Sequence, residues 1–196
     1  ATLGAPALAG QAPLALSLTG LSQSRGAALR LTRTGEAWTL SGQAAAVPLG
    51  GQAAHALLVA DCDGELRLVL ADLGQPGVQR SEGMSQHHQA LADLAFDAVP
   101  VASACVLPAA ATQWIEPRAI ACLAALQLGV TQQQLRRTVE YVSERQQFGR
   151  AIGSFQLVAG QMADGYIALE ALRTSLWQLV YRLDAGLGAA PQACAT

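Results

Sequence analysis

The chain has 196 residues, 52% of them hydrophobic and 13% charged, which excludes a disordered polypeptide and leaves room for one large or two small domains. Its formal net charge is −2, with arginine supplying all of the positive charge, so there is no basic footprint for nucleic acid or for anionic lipid. Gly, Gln, Arg or Asp interrupts every apolar run, and no membrane span is expected.

The first half reads as short strands. Residues 14–19 (Leu-Ala-Leu-Ser-Leu-Thr) alternate, and residues 28–33 do so again. A Thr34-Gly35-Glu36 turn leads into residues 37–42, which completes a β-hairpin. Further strands are expected at 56–60, 66–70, 78–80 and 92–96, with Asp61-Cys62-Asp63-Gly64 as a tight turn between two of them. Regular short strands with Gly at the turns indicate a small antiparallel barrel or sandwich.

The pattern changes near Thr112. From Ile115 to Gln147 the only glycine is Gly129 and the only proline is Pro117, placed near an expected helix start. The boundary therefore falls in 110–114, giving domains 1–112 and 113–196 and an α+β fold class. Leu135, Val139 and Val142 recur at helical spacing, and Gly149 is the expected stop. A second helix follows, with Phe155, Val158, Met162, Ile167, Leu169, Leu172, Leu176 and Leu179 on its apolar side. Two long helices joined by a short turn make an antiparallel hairpin. Residues 185–193 read as a loop before a fresh start.

The remaining reactive residues point to no site of their own. Cys62, Cys105, Cys122 and Cys194 form no CxxC pair and read as small, buried or half-buried thiols rather than a disulfide framework. His87 and His88 are adjacent, so in a strand they face opposite ways; with His55 they predict no metal site. Gly50-Gly51 is too short for a phosphate loop, and Arg136-Arg137 reads as a solvated helix face. No signal peptide is visible and cytoplasm is the default. The first residue is not Met, so a longer N-terminus is expected.

One cluster is left over by apolar periodicity: Arg145, Phe148-Gly149 and Gln156, which flank the turn between the two long helices. In the plainest reading Arg145 pairs with a neighbouring Glu and Gln156 caps the turn. The full pattern is Arg-x-Gln-Phe-Gly-x-x-Ile-x-x-Phe-Gln, and it resembles the signature of the acyl-CoA dehydrogenase family. Two more segments carry the likeness. Gly35–Gly42 resembles the family's Gly-Asp-x-Tyr-x-Leu-Asn-Gly hairpin, and residues 94–101 resemble the strand that leaves its barrel. The resemblance implies a middle β-barrel over 1–112 and, over 113–196, the first two helices of a C-terminal four-helix bundle. A helical N-terminal domain and two further bundle helices would lie outside the chain, which reads as the ordered or expressed part of a longer one. The missing helices would leave an apolar face bare. Covering it is favoured by about 25 cal/mol per Å², so the chain alone is expected to be unstable or oligomeric.

The resemblance also implies residue roles. Arg145 and Gln156 would contact the FAD of a neighbouring subunit, the guanidinium on phosphate oxygens, with Phe148 as an apolar wall. Leu18-Thr19 matches the start of the family's Leu-Thr-Glu-Pro-x-x-Gly-Ser-Asp strand, which makes Thr19 a candidate FAD contact. There Gly20 and Leu21 replace Glu-Pro, and Ser24-Arg25-Gly26 stands near Gly-Ser-Asp. The family's Lys-x-Trp-Ile-Thr-Asn-Gly aligns with Ala44, Ala46, Val47, Pro48, Leu49 and Gly50, so the aromatic wall and the hydroxyl are gone and Pro48 removes a donor. Arg118 lies near the CoA-holding arginine, although ungapped alignment places Ile120 there. The catalytic base is usually a Glu beyond the third bundle helix. Glu116 is three residues from an alternative position, so no catalytic residue is assigned.

The implied activity is FAD-dependent α,β-dehydrogenation of an acyl-CoA thioester. A carboxylate removes the α-proton, the β-hydride passes to flavin N5, and electrons leave through an electron-transfer flavoprotein. The implied assembly is a homo- or heterotetramer with a related subunit. The alternative is a non-catalytic partner subunit that lends Arg145, Phe148 and Gln156 to a flavin held by its neighbour. A flavin monooxygenase of the same fold is the weaker third reading.

Overall fold

The structure is a computed structural model that describes residues 12–22 and 28–195. Ser24-Arg25-Gly26 and the Cys194 side chain lie outside the described residues. The chain divides into two compact units, Ala1–Trp114 and Ile115–Thr196.

The first unit contains β1 (Leu14–Ser17), a helical turn α1 (Thr19–Ser22), β2 (Leu29–Thr34), β3 (Ala37–Pro48), β4 (His55–Cys62), β5 (Glu65–Asp72), β6 (Val78–Met84) and β7 (Ala90–Val101). Alternation explains the strands: Leu29 and Leu31 of β2, Trp38 and Leu40 of β3, and Leu94 and Phe96 of β7 all turn into one apolar core. Gly35, at φ 64, makes the β2–β3 turn. The sheet follows the path β1-β4-β2-β3-β7-β6, with β5 on β4. The expected antiparallel pairing is corrected here to a mixed one. β1 runs parallel to β4 from Leu14↔His55 to Ser17↔Leu58, and β2 meets β4 in parallel at Arg30↔Asp61. Alternation reports which face is buried and carries no information on strand direction.

Two bulges bend this sheet. Ala45 and Ala46 of β3 stand opposite the single residue Asp93, where Ala46 has φ 51 and its N–H donates to Asp93 Oδ1 at 2.7 Å. Asp97 and Ala98 of β7 stand opposite Ser41, whose Oγ accepts the Ala98 N–H at 3.2 Å. Arg80 on β6 reaches beyond its own strand pair. Its guanidinium donates to the carbonyls of Gly51 (3.3 Å), Ala53 (3.2 Å) and Leu73 (2.7 Å), tying β6 to the segments before β4 and after β5. Arg80→Met keeps the stem but leaves these carbonyls without the donor. The expected loss is about 2 kcal/mol, read as a lower urea midpoint at unchanged slope; an unchanged midpoint would show that water replaces the guanidinium without cost.

The long helix α2 (Ala110–Glu144) begins in the first unit and runs through the second. It starts earlier than expected, so Pro117 sits inside it rather than near its first turn. A proline there has no N–H for the carbonyl four residues back. After α2 come the two-residue strands β8 (Gln146–Gln147) and β9 (Arg150–Ala151), then α3 (Gln156–Asp184) and α4 (Ala190–Ala195). Leu176 and Leu179 of α3 pack with Ala121 and Ala124 of α2 and with Ala189 and Ala193 at α4. Arg173 donates across the pair to Gln132 Oε1. Leu123, Leu126, Val130, Ile167, Trp177 and Tyr181 remain exposed on these helices. No helix among the described residues is long and apolar enough to cross a membrane. Of the thiols, Cys62 and Cys105 are half-buried as expected, whereas Cys122 is exposed.

Candidate functional site

The α2–α3 connection is a miniature hairpin rather than a simple helix stop. α2 ends at Glu144, and the Arg145 N–H still donates to the Tyr141 carbonyl at 2.9 Å. The chain then doubles back: Gln146 pairs with Ala151 and Gln147 with Arg150, while the Ile152 N–H closes the loop on the Arg145 carbonyl at 2.8 Å. Phe148 and Gly149 are the two central residues of this turn, at φ 54 and φ 79. Positive φ at both positions is the demand of a type I′ turn. Gly149 therefore serves as turn apex, not as the expected end of α2. A bulky residue such as Phe148 in the left-handed region is uncommon and costs conformational energy.

That cost holds an aromatic ring in the open. Phe148 is 92% exposed. Its ring meets Phe155 edge to face at 6.2 Å and 90°, and the Arg150 guanidinium lies over the Phe155 ring at 4.1 Å from its centroid. Phe155 is fixed by a 3-10 turn (Ile152–Ser154), in which the Ser154 hydroxyl donates to the Ala151 carbonyl at 2.7 Å. Gly153 allows this turn to lie against the end of α2, since a Cβ there would stand 3.0 Å from the Val142 carbonyl oxygen.

The predicted site residues Arg145, Phe148 and Gln156 thus come together around one turn, all exposed. Arg145 joins no ion pair among the described residues, so the pairing with a neighbouring Glu is absent there. Gln156 is the first residue of α3, following Phe155, and no side chain caps that end. The turn offers a guanidinium, an amide and an apolar ring to a group outside this helix pair. That chemistry suits an anion with an attached aromatic or apolar part.

The other two candidates lie elsewhere. Arg118 is half-buried on α2, and at about 1.5 Å rise per residue it stands roughly 40 Å along the helix axis from Arg145. Thr19 opens α1 in the first unit, its hydroxyl 3.2 Å from that of Ser17. It lines a pocket of about 280 Å³ together with Ser17, Gly20, Gln43, Ala44, Ala45 and Leu58. As a flavin wall this lining fits poorly: Ala46 and Pro48 hold the positions aligned with the family's aromatic and hydroxyl residues, and among the described residues no aromatic side chain lines the pocket. The turn has what this lining lacks: an Arg145 guanidinium in no ion pair among the described residues and a displayed ring. Sequence reasoning missed Arg150 and Gly153. A cation five residues before an aromatic carries no periodic signal until the hairpin fold brings the two together.

Residues 118–196 match the family described as "Acyl-CoA dehydrogenase, C-terminal domain". With the α+β architecture and the relatives below, the chain belongs to the acyl-CoA dehydrogenase family. It is similar to acyl-CoA dehydrogenase FadE27 of Mycobacterium tuberculosis, at 32% identity over 151 residues, covering 76% of this chain and 40% of that protein. Among solved structures it is similar to the ChsE4-ChsE5 complex from Mycobacterium tuberculosis, with 29% identity, a TM-score of 0.86, and coverage of 97% of this chain and 52% of that one. The Tcur3481-Tcur3483 steroid ACAD (G363A variant) gives 35% identity and a TM-score of 0.85, covering 96% and 52%. The chain therefore spans about half the length of the solved chains it matches.

Proposed function

We propose that this chain is part of a cytoplasmic subunit of an FAD-dependent acyl-CoA dehydrogenase, and that its α2–α3 turn lends Arg145, Phe148 and Gln156 to FAD in a neighbouring subunit. The observation that carries this reading is the turn itself: a strained, 92% exposed Phe148 beside a guanidinium with no ion-pair partner among the described residues. When bound, FAD supplies the acceptor for the hydride lost from the β-carbon of the acyl-CoA. Arg145 binds its phosphate charge, Gln156 orients it with an amide hydrogen bond, and Phe148 keeps water from its edge. No residue is assigned as the base that takes the α-proton, and an electron-transfer flavoprotein would be the electron acceptor of the loaded assembly.

A second reading, that the chain is the non-catalytic partner in a heterotetramer, is favoured by the alanine-lined pocket beside Thr19. Similarity to the two-component ChsE4-ChsE5 and Tcur3481-Tcur3483 structures supports it as well. The visible spectrum of the intact chain, purified alone and then with a co-expressed homologous subunit, separates the two. A stoichiometric flavin band in the chain alone that bleaches with an acyl-CoA supports a complete dehydrogenase. A colourless chain that gains flavin only in the mixed assembly supports the partner role. Absence of flavin from both removes the proposal altogether.

A further inference from the structure

The strain at Phe148 needs a restraint, and the turn contains one that the signature residues do not include. A two-residue hairpin with two residues per strand is too short to hold its own apex. A 92% exposed ring in the left-handed region should relax into other rotamers and backbone states unless something opposes it. What opposes it is a stack of three side chains. Arg150 lies on one face of Phe155 at 4.1 Å, well inside the range for a cation–π contact, and Phe155 meets Phe148 at right angles. Phe155 in turn is pinned by the 3-10 turn that Gly153 seats against Val142. Arg150 is exposed and joins no ion pair among the described residues, so its charge is free to serve the ring.

We propose that Arg150 is a positioning residue that acts through Phe155 to hold the Phe148 ring in its displayed conformation. That the displayed ring then meets FAD rests on the function proposed above. Arg150 itself needs to touch no cofactor. Its role is to raise the fraction of chains in which the turn is ready to bind, which lowers the apparent dissociation constant by the same factor.

The chain has three phenylalanines, so the intact protein labelled with 4-fluorophenylalanine gives three fluorine resonances, with buried Phe96 as internal reference. Arg150→Gln is expected to shift and broaden the Phe148 and Phe155 signals and leave Phe96 in place, while Arg150→Lys restores them. In the flavin-containing assembly, Arg150→Gln should weaken FAD retention roughly 2- to 5-fold, Lys should recover most of it, and Arg150→Gln should add nothing once Phe148 is Leu. An unmoved Phe148 signal in Arg150→Gln overturns the proposal. So does additivity of Arg150→Gln with Phe148→Leu, which would mean that Arg150 acts directly. If Phe148→Leu leaves FAD retention unchanged while the fluorine signals respond to Arg150, the flavin reading fails and the ring clamp stands.

Discussion

Replacing Arg145 with alanine in the flavin-containing assembly should lower FAD retention about 10- to 100-fold, the range for losing hydrogen bonds to a charged group. The folded chain should lose almost nothing, because the exposed Arg145 side chain joins no ion pair among the described residues. This separation of binding from stability is what gives the experiment its meaning. Arg137→Ala is the matching control: it removes one equal charge from the exposed surface of α2, the helix that leads into Arg145, about two turns away. If long-range attraction were the whole effect, both variants would weaken retention alike and high salt would erase both losses. A local contact predicts loss in Arg145→Ala alone. Arg145→Lys should recover only part, since an ammonium keeps the charge but loses the planar fork that engages two phosphate oxygens. Equilibrium dialysis of FAD against the purified assembly measures all three. Equal retention in Arg145→Ala and Arg137→Ala would remove Arg145 from the site.

Much of the sheet was legible because alternation is a local signal. Alternation predicts a strand over 28–33, and β2 covers Leu29–Thr34. The Asp61–Gly64 turn is also present, with Asp63 at φ 54, Gly64 at φ 87, and Asp61 Oδ1 accepting the Gly64 N–H at 2.8 Å. Where alternation breaks, reading stops early. β3 and β7 each run 12 residues, but the bulges at Ala45-Ala46 and Asp97-Ala98 reset the inside–outside order. β6 is exposed along nearly its whole length, so the sequence predicts only 78–80 of Val78–Met84. At the site, resemblance supplied what periodicity could not. Arg145, Phe148 and Gln156 stand at one turn, but Gly149 looked like a helix stop because strands of two residues carry no period at all. The same lack of period hides Arg150.

Two glycines with positive φ separate conformational cost from steric cost, and one of them bears on the pocket beside Thr19. Gly42, at φ 115, sits where β3 is squeezed between Leu29 of β2 and Phe96 of β7. A Cβ there would lie 2.3 Å from the Ala28 carbonyl oxygen and 3.2 Å from the Leu29 Cα. Neither atom belongs to a side chain that can swing aside, so Gly42→Ala must move the β2 backbone as well as adopt an unfavourable φ. The expected cost is about 3 kcal/mol. Gly149→Ala carries only the first penalty: φ is 79, but nothing lies within 4 Å of the added Cβ. Its cost should be about 1 kcal/mol. Urea unfolding of the two variants measures the gap, and equal losses would show that the β2 edge yields without strain. The functional consequences should run the other way. Ala28, Leu29 and Gln43 line the pocket that Thr19 enters, so Gly42→Ala distorts that pocket while leaving the α2–α3 turn intact. If this chain serves a flavin held by its neighbour, assemblies that survive Gly42→Ala retain FAD normally and those carrying Gly149→Ala hold it up to about 5-fold more weakly. If the chain holds its own flavin, Gly42→Ala empties it.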